Sequence, residues 1–336
     1  MYPLTIRRTE KPLIIFDEIH KYSDWKNYLK GFFDTYKDYF HIVVTGSARM
    51  DVYQRGGDSL MGRYFQYRIH PLSVSELLNR KEPSETFSFN SPALLPEEDF
   101  EALYTYGGFP EVFHKRNLRF QTLWQETRLK QLIYEDIQSI EKLHEVSLLE
   151  VLAILLQHQT GQMLNRSNLA NKIKVTTQTI SRWIDALEKF YYCFLIKPWH
   201  KNVTRSLIKE PKVYLWDWSV VPNEGSRYEN FIAGHLLKFV QFWNDSGVHK
   251  FELFYLRDQD KREVDFLIVK DQIPWFSVEA KTSITNFTQL LSYFEKQIKT
   301  DYNFQVVKTM AFEDQSCFDK KGIWQVPAKT FLSQLK

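Results

Sequence analysis

Two sets of residues carry the types and spacing that chemistry needs. The first is an acid pair, Asp17-Glu18, directly after the apolar run Leu13-Ile14-Ile15-Phe16. An acid at the carboxyl end of a buried strand points at the ligand crevice of a parallel sheet, where it can hold Mg²⁺ through water. The second set is Asp265 near the start of Glu263-Val264-Asp265-Phe266-Leu267-Ile268-Val269, followed by Glu279-Ala280-Lys281 at the end of the next apolar run. Strand alternation puts Glu279 and Lys281 on one face. Asp265 and Glu279 are candidate metal ligands there, with Lys281 positioned to activate a water. Glu229, on a preceding helical stretch, is the candidate third acid.

These residues need elements to hold them. Residues 11–19 and His41–Gly46 read as buried strands with a helix over 22–40 between them, which argues for a parallel α/β sheet. Arg68–Leu72 is expected as a third, short strand. Residues 81–98 carry prolines and glutamates and read as a surface loop. Residues 97–145 read as helical, with a break at Tyr106-Gly107-Gly108-Phe109-Pro110, and 146–192 as a compact run of helices. Short strands and turns follow over 193–221, a helix over 226–243, three strands over 251–282 and a helix over 286–299. The expected domains are 1–80, 81–145, 146–205 and 206–336.

Within the third of these, Leu169, Ala170 and Ile173 form the apolar face of one short helix. Ile180, Trp183, Ile184 and Leu187 recur at helical spacing on the next, with Thr177 as the expected cap. The polar face of that second helix carries Gln178, Thr179, Ser181 and Arg182, which are candidates to meet DNA bases or phosphates. Tyr191–Lys197, with Lys201 and Arg205, is the expected hairpin wing of a winged-helix-like module. Helix capping and solvation explain the same polar residues.

The bulk properties set limits. A chain of 336 residues has room for several cores, and 43% hydrophobic with 25% charged residues is ordinary for a globular protein. A net charge of +3 does not by itself imply nucleic acid. Cys193 and Cys317 have neither disulfide-framework nor zinc spacing and suit a reducing compartment. No secretory signal and no apolar run of spanning length is apparent, so the expectation is a cytoplasmic protein without a membrane partner.

The order Asp17-Glu18-Ile19-His20, then Val43-Val44-Thr45-Gly46-Ser47-Ala48-Arg49, then Ser59-Leu60-Met61-Gly62-Arg63, then His70-Pro71-Leu72-Ser73 resembles a bacterial and archaeal family of AAA+-like ATPases. In that family a P-loop NTPase module precedes a C-terminal region of unassigned function. The resemblance covers nearly the whole chain and implies ATP and Mg²⁺ as cofactors. Leu13–Glu18 then corresponds to the Walker B strand, with Asp17 on Mg²⁺ and Glu18 polarising the attacking water. Ser47 is the residue placed to sense the γ-phosphate, and Arg63 the candidate arginine finger for a neighbouring copy. One departure stands out. The family carries a G-x-x-x-x-G-K-[ST] loop before this strand, and no stretch of the chain matches it; Gly56-Gly57 lacks the lysine and lies after the strand. Without that amide nest and lysine, the chain alone is expected to bind ATP weakly or not at all. The expected fold class is α/β: a partial P-loop parallel sheet, a helical winged-helix-like middle, and a C-terminal domain that resembles the restriction-endonuclease-like PD-(D/E)xK fold.

Three functions follow from these residues. One is an AAA+-type ATP-binding protein with DNA-binding and nuclease-like parts. Another is a Mg²⁺-dependent DNA nuclease with a degenerate ATPase module. The third is a non-enzymatic remnant or an interaction partner of a full-length homologue. DNA, further copies of the chain and such a homologue are the partners these readings imply.

Overall fold

The apolar run Leu13–Phe16 forms β1 and His41–Val44 forms β2, in a computed structural model that describes residues 11–19, 22, 24–46, 60, 62–78, 86–138, 145–200, 210–286 and 289–336. The two strands pair in parallel, Leu13 beside His41 and Phe16 beside Val44. Parallel neighbours need a crossover, and α1, Trp25–Tyr36, supplies it. Its Trp25 and Leu29 turn inward with Ile19, against Phe16, Val44 and Leu60. Phe32 adds an edge-on contact to Phe16, ring centroids 5.0 Å apart. Strand alternation leaves Leu13, Ile15 and Val43 exposed on the other face, although parallel strands are usually covered on both sides. These elements belong to the first of two compact units, Met1–Gln66 with Lys189–Tyr191; the second is Tyr67–Glu188 with Tyr192–Lys336. Ser47 lies outside the described residues.

The expected third strand at Arg68–Leu72 does not form a ladder. Pro71 has no N–H to give, and the Leu72 N–H goes to the Gly108 carbonyl at 2.6 Å. A Cβ on Gly108 would lie 2.7 Å from Pro71 and Trp218, so only glycine permits this approach. The segment then enters α2, Val74–Leu77, through a capping box made by Ser73 and Glu76.

The helical reading of the next stretch holds through residue 138, where the described part ends. α3 is Glu97–Tyr106, α4 is Pro110–Lys115 and α5 is Leu118–Lys130, which runs on into π-helical turns at Gln131–Ile137. The expected break falls between α3 and α4, with Gly107 at φ +86 and Pro110 opening the new helix.

α6, Val146–His158, α7, Arg166–Ile173, and α8, Thr177–Lys189, follow. α8 buries Ile180, Trp183, Ile184 and Leu187 as their spacing predicts. Its cap is Thr176, not Thr177: the Thr179 N–H donates to the Thr176 hydroxyl at 3.1 Å, and Thr177 is already helical. The strand expected in a hairpin wing is β3, Cys193–Pro198. It pairs antiparallel with β4, Lys212–Leu215, but its other edge pairs with β5, so it is an interior strand of a large sheet. Cys193, Phe194 and Ile196 are buried there. Lys201 and Arg205 lie outside the described residues.

That sheet runs β4-β3-β5-β6-β7-β8-β9, with β5 at Phe251–Arg257, β6 at Glu263–Lys270, β7 at Ile273–Lys281, β8 at Tyr302–Val307 and β9 at Gly322–Pro327. β5, β6 and β7 form an antiparallel meander, and β7, β8 and β9 are parallel. The long α9, Glu224–Asp245, buries Phe231, Phe239 and Trp243. α10, Gln289–Ile298, is the crossover between β7 and β8 and packs Leu291 and Phe294 on Leu256, Val264, Leu267 and Val269. α11, Ala328–Gln334, is buried along its whole length. The architecture is therefore mixed α/β, and its mixed sheet carries the second set of candidate residues on neighbouring elements.

The cap assignment can be checked. Thr176→Ala is expected to cost about 1 kcal/mol, and Thr177→Ala to stay within about 0.5 kcal/mol of wild type, read from urea denaturation midpoints.

Candidate functional site

In the first unit, Asp17 follows the last residue of β1 and is exposed. Thr45 follows the last residue of β2, so parallel pairing brings the two strand ends side by side. The Thr45 N–H donates to the Phe16 carbonyl at 2.9 Å, and its hydroxyl donates to Asp17 Oδ1. Glu18 sits half-buried with a left-handed backbone at φ +50, which turns the chain away from the strand direction. Arg63 is held by Asp34 of α1, Nε to Oδ1 at 2.9 Å and Nη2 to Oδ2 at 3.1 Å. Hydrogen bonding to Arg63 keeps the Asp34 carboxyl below its usual pKa. An Arg63 that served a neighbouring copy would have to leave this fork. Thr45 was not among the sequence candidates; the signal was available, since it is the first polar residue after the second apolar run.

The second set is assembled by four elements: β4, α9, β6 and β7. Glu229 of α9, Asp265 of β6, and Glu279 and Lys281 of β7 do come into one neighbourhood. Two residues that sequence reasoning did not single out organise them, Lys212 of β4 and Glu263 of β6. Lys212 is buried, and its Nζ lies 3.0 Å from Glu229, 2.6 Å from Glu263 and 3.8 Å from Asp265. The Tyr214 hydroxyl donates to the same Glu229 oxygen at 2.7 Å. The Ala280 N–H donates to Asp265 Oδ2 at 2.9 Å. Lys281 pairs with Glu279 at 2.8 Å, and Gln305 reaches the other Glu279 oxygen at 3.4 Å. Arg257 holds the second oxygen of Glu263 at 2.5 Å.

The chain leaving α6 passes over this group. The Gly161 N–H donates to the Val213 carbonyl at 2.9 Å, and a Cβ at Gly161, whose φ is +77, would lie 3.1 Å from both Glu229 oxygens. Burial lowers the affinity of Lys212 for its proton, but the charges of Glu229, Asp265 and Glu263 outweigh it and raise its pKa overall. Burial, followed by the charge of Glu229, pushes Asp265 up to about 7.

A divalent ion among Glu229, Asp265 and Glu279 does not fit this arrangement. Among the described residues no group of three or more acids, histidines or cysteines is placed to hold a metal. The carboxylate oxygens are committed elsewhere: Glu229 and Asp265 face an ammonium that already supplies positive charge, and both Glu279 oxygens have partners.

On α8, Gln178 and Arg182 are exposed while Thr179 and Ser181 are half-buried. The Thr179 hydroxyl lies 2.9 Å from that of Thr176, within the cap. Cys193 and Cys317 are both free and buried. Among the described residues no helix is long and apolar enough to cross a membrane.

Three family descriptions match successive parts of the chain. Residues 2–78 match an AAA domain, 97–223 a domain of unknown function (DUF8612), and 224–331 a domain of unknown function (DUF4143). The N-terminal part is AAA-like, of the ATPase type. The Asp17–Thr45 pair lies within that match, and Glu229, Asp265, Glu279 and Lys281 lie within the last. Among curated relatives, an uncharacterized protein of Haemophilus influenzae is 24% identical over 80% of this chain and 66% of its own length. An uncharacterized protein of Mycobacterium tuberculosis is 20% identical over 82% of this chain and 60% of its own. The chain thus spans a little under two thirds of the length of these relatives. No solved structure matches.

Two measurements test the electrostatics. Lys212→Met leaves its carboxylates uncompensated and is expected to cost about 3–5 kcal/mol of folding stability, read by denaturant unfolding. The second is a pH profile of Asp265→Asn. Folded Asp265 keeps its proton up to about pH 7, whereas an unfolded carboxyl loses it near 3.8. Between those values the folded state binds more protons, so the contribution of Asp265 is full below the lower value and is lost as pH rises through the upper one. Wild type should therefore lose stability relative to Asp265→Asn as pH rises from about 4 to about 7.

Proposed function

We propose that this chain is an ATPase-family protein of the AAA type whose first unit supplies the acid side of a nucleotide site. The observation that carries this reading is Asp17 at the end of a parallel strand, hydrogen-bonded to Thr45 at the end of its neighbour, within a segment that matches an AAA domain. A carboxylate and a hydroxyl side by side and open to solvent suit a Mg²⁺ that keeps most of its waters. Asp17 holds that ion in this reading and Glu18 orients the attacking water. Ser47 meets the γ-phosphate, and Arg63 reaches the phosphate of a neighbouring copy after leaving Asp34. Mg²⁺ would offset the charge of the β- and γ-phosphates there.

Residues 1–336 hold no G-x-x-x-x-G-K-[ST] loop, so these residues by themselves are expected to hold ATP poorly; in this reading Arg63 makes a further copy of the chain a partner. Calorimetry with ATP and Mg²⁺ is expected to show a Kd weaker than about 1 mM, an interaction of only about 4 kcal/mol. Micromolar binding that Asp17→Asn leaves intact would overturn both the weak-binding expectation and the role of Asp17.

For the second unit, the reading is a restriction-endonuclease-like core preceded by a helix-turn-helix that contacts DNA without cutting it. The support is the α7–turn–α8 arrangement, with Lys174 at φ +63 in the turn and Gln178 and Arg182 open on α8. Arg182→Ala is expected to weaken duplex binding and to flatten its dependence on salt, measured by fluorescence anisotropy. Plasmid DNA incubated with the chain and Mg²⁺ should stay intact. Cleavage that Asp265→Ala and Lys281→Ala both abolish would replace this with the nuclease reading.

A further inference from the structure

We propose that Lys212 is the resident cation of the acid set on α9 and β6, and that its ammonium is what keeps divalent metal ions from binding among those carboxylates.

The geometry is specific. Lys212 comes from β4, the end strand of the sheet, and carries its Nζ into the space between the long helix and the β6 strand. There it meets one carboxylate from the helix and two from the strand, at 3.0, 2.6 and 3.8 Å. These acids are not surface residues that happen to find a lysine. The Lys212 side chain is 3% exposed, and the carboxylates it meets are 19 to 22% exposed. Each has a further fixed donor: Tyr214 on Glu229, Arg257 on Glu263 and the Ala280 amide on Asp265. Convergent, oriented carboxylates of this kind are what a hard divalent cation needs, and a centrally placed positive charge is what such carboxylates need to stay ionised. One ammonium meets the second requirement and removes the space for the first.

The charges of the neighbourhood agree. Lys212, Lys281 and Arg257 face Glu229, Glu263, Asp265 and Glu279, so the carboxyl groups exceed the cations by one, and the charges balance where Asp265 holds its proton. Adding a divalent ion to that set would drive it to net positive charge while Lys212 stays in place. Gly161 closes the approach over Glu229, where even a Cβ would crowd the carboxylate. The segment that carries Gly161 is bonded to β4 on both sides of Lys212, through Gly161 to Val213 and Leu164 to Pro211. The cover and the ammonium are thus held by the same short strand.

The test uses the full chain in an Asp17→Asn background, so that its outcome is independent of any nucleotide site in the first unit. Mn²⁺ binding is followed by electron paramagnetic resonance. The Asp17→Asn parent is expected to bind no Mn²⁺ at this set. Adding Lys212→Gln should tighten Mn²⁺ binding at least tenfold, with one ion gained, and adding Glu229→Gln to that should remove it again. Mn²⁺ should also raise the Tm of the Lys212→Gln chain and leave the parent unmoved. A parent that already binds one Mn²⁺ and loses it on Glu229→Gln overturns the proposal, because the carboxylates are then open to the ion with Lys212 present. A folded Lys212→Gln chain that binds no more Mn²⁺ than the parent overturns it too. Where Lys212→Gln does not fold, the double variant Lys212→Gln/Glu279→Gln removes one charge of each sign and keeps Glu229, Glu263 and Asp265, the three carboxylates that Lys212 meets. A tenfold gain in Mn²⁺ binding, or folding only in its presence, supports the proposal. No gain, or no folding with or without Mn²⁺, counts against it.

Discussion

A buried ammonium among carboxylates from two different elements is the constraint that organises the second unit. Lys212 ties β4 to α9 through Glu229 and to β6 through Glu263 and Asp265. β4 has β3 as its neighbour in the sheet and the Gly161–Leu164 segment along its other edge, and the ion pairs add a tie from this strand to α9 and β6. A buried ion pair is seldom more stabilising than well-packed apolar residues would be, yet it is costly to break once made. Its usual effect is to fix geometry. Here it ties β4 to α9 and β6 at a place where several like charges would otherwise repel.

The same logic explains why glycines appear where chain segments cross. Gly161 takes a left-handed conformation over Glu229, and Gly108 lets Pro71, Leu72 and Trp218 approach its backbone closely. At each, an irregular segment must satisfy its backbone hydrogen bonds against a neighbour outside its own element, the Gly161 N–H on Val213 of β4 and the Gly108 carbonyl from Leu72. The Gly107-Gly108 pair therefore does more than interrupt a helix. It provides the carbonyl that receives Leu72, the role a neighbouring strand would have played had Arg68–Leu72 been one.

What could be read from the sequence follows from how local each signal is. The apolar face of α8, the break at Gly107, the β5–β6–β7 meander and the shared face of Glu279 and Lys281 are set by residues within a turn or two of each other. Glu229, Asp265, Glu279 and Lys281 could be grouped because their segments resemble a known arrangement. Lys212 could not, since Lys-Val-Tyr-Leu reads as the ordinary start of a strand and its partners lie far along the chain. β3 reads as a wing for the same reason: its apolar pattern is local, but its pairing with β5 is not. Thr176 and Thr177 are identical in type and adjacent, so only backbone conformation decides which one caps. In the first unit, the acid at the end of β1 was legible, while its pairing with Thr45 depends on the parallel register that brings two strand ends together.

The two acid sets differ in a way that bears on where chemistry can happen. Asp17 is exposed and shares one oxygen with the Thr45 hydroxyl. Glu229 and Asp265 are enclosed, oriented and already face the Lys212 ammonium. An open carboxylate keeps its hydration and can exchange water for an ion and a phosphate at little cost, whereas an enclosed one must first lose a bonded cation. The set with the more elaborate geometry is therefore the less available of the two. Elaborate hydrogen bonding around carboxylates shows that their positions are fixed, and it is the identity of the cation at the centre that decides whether they are fixed for catalysis or for architecture.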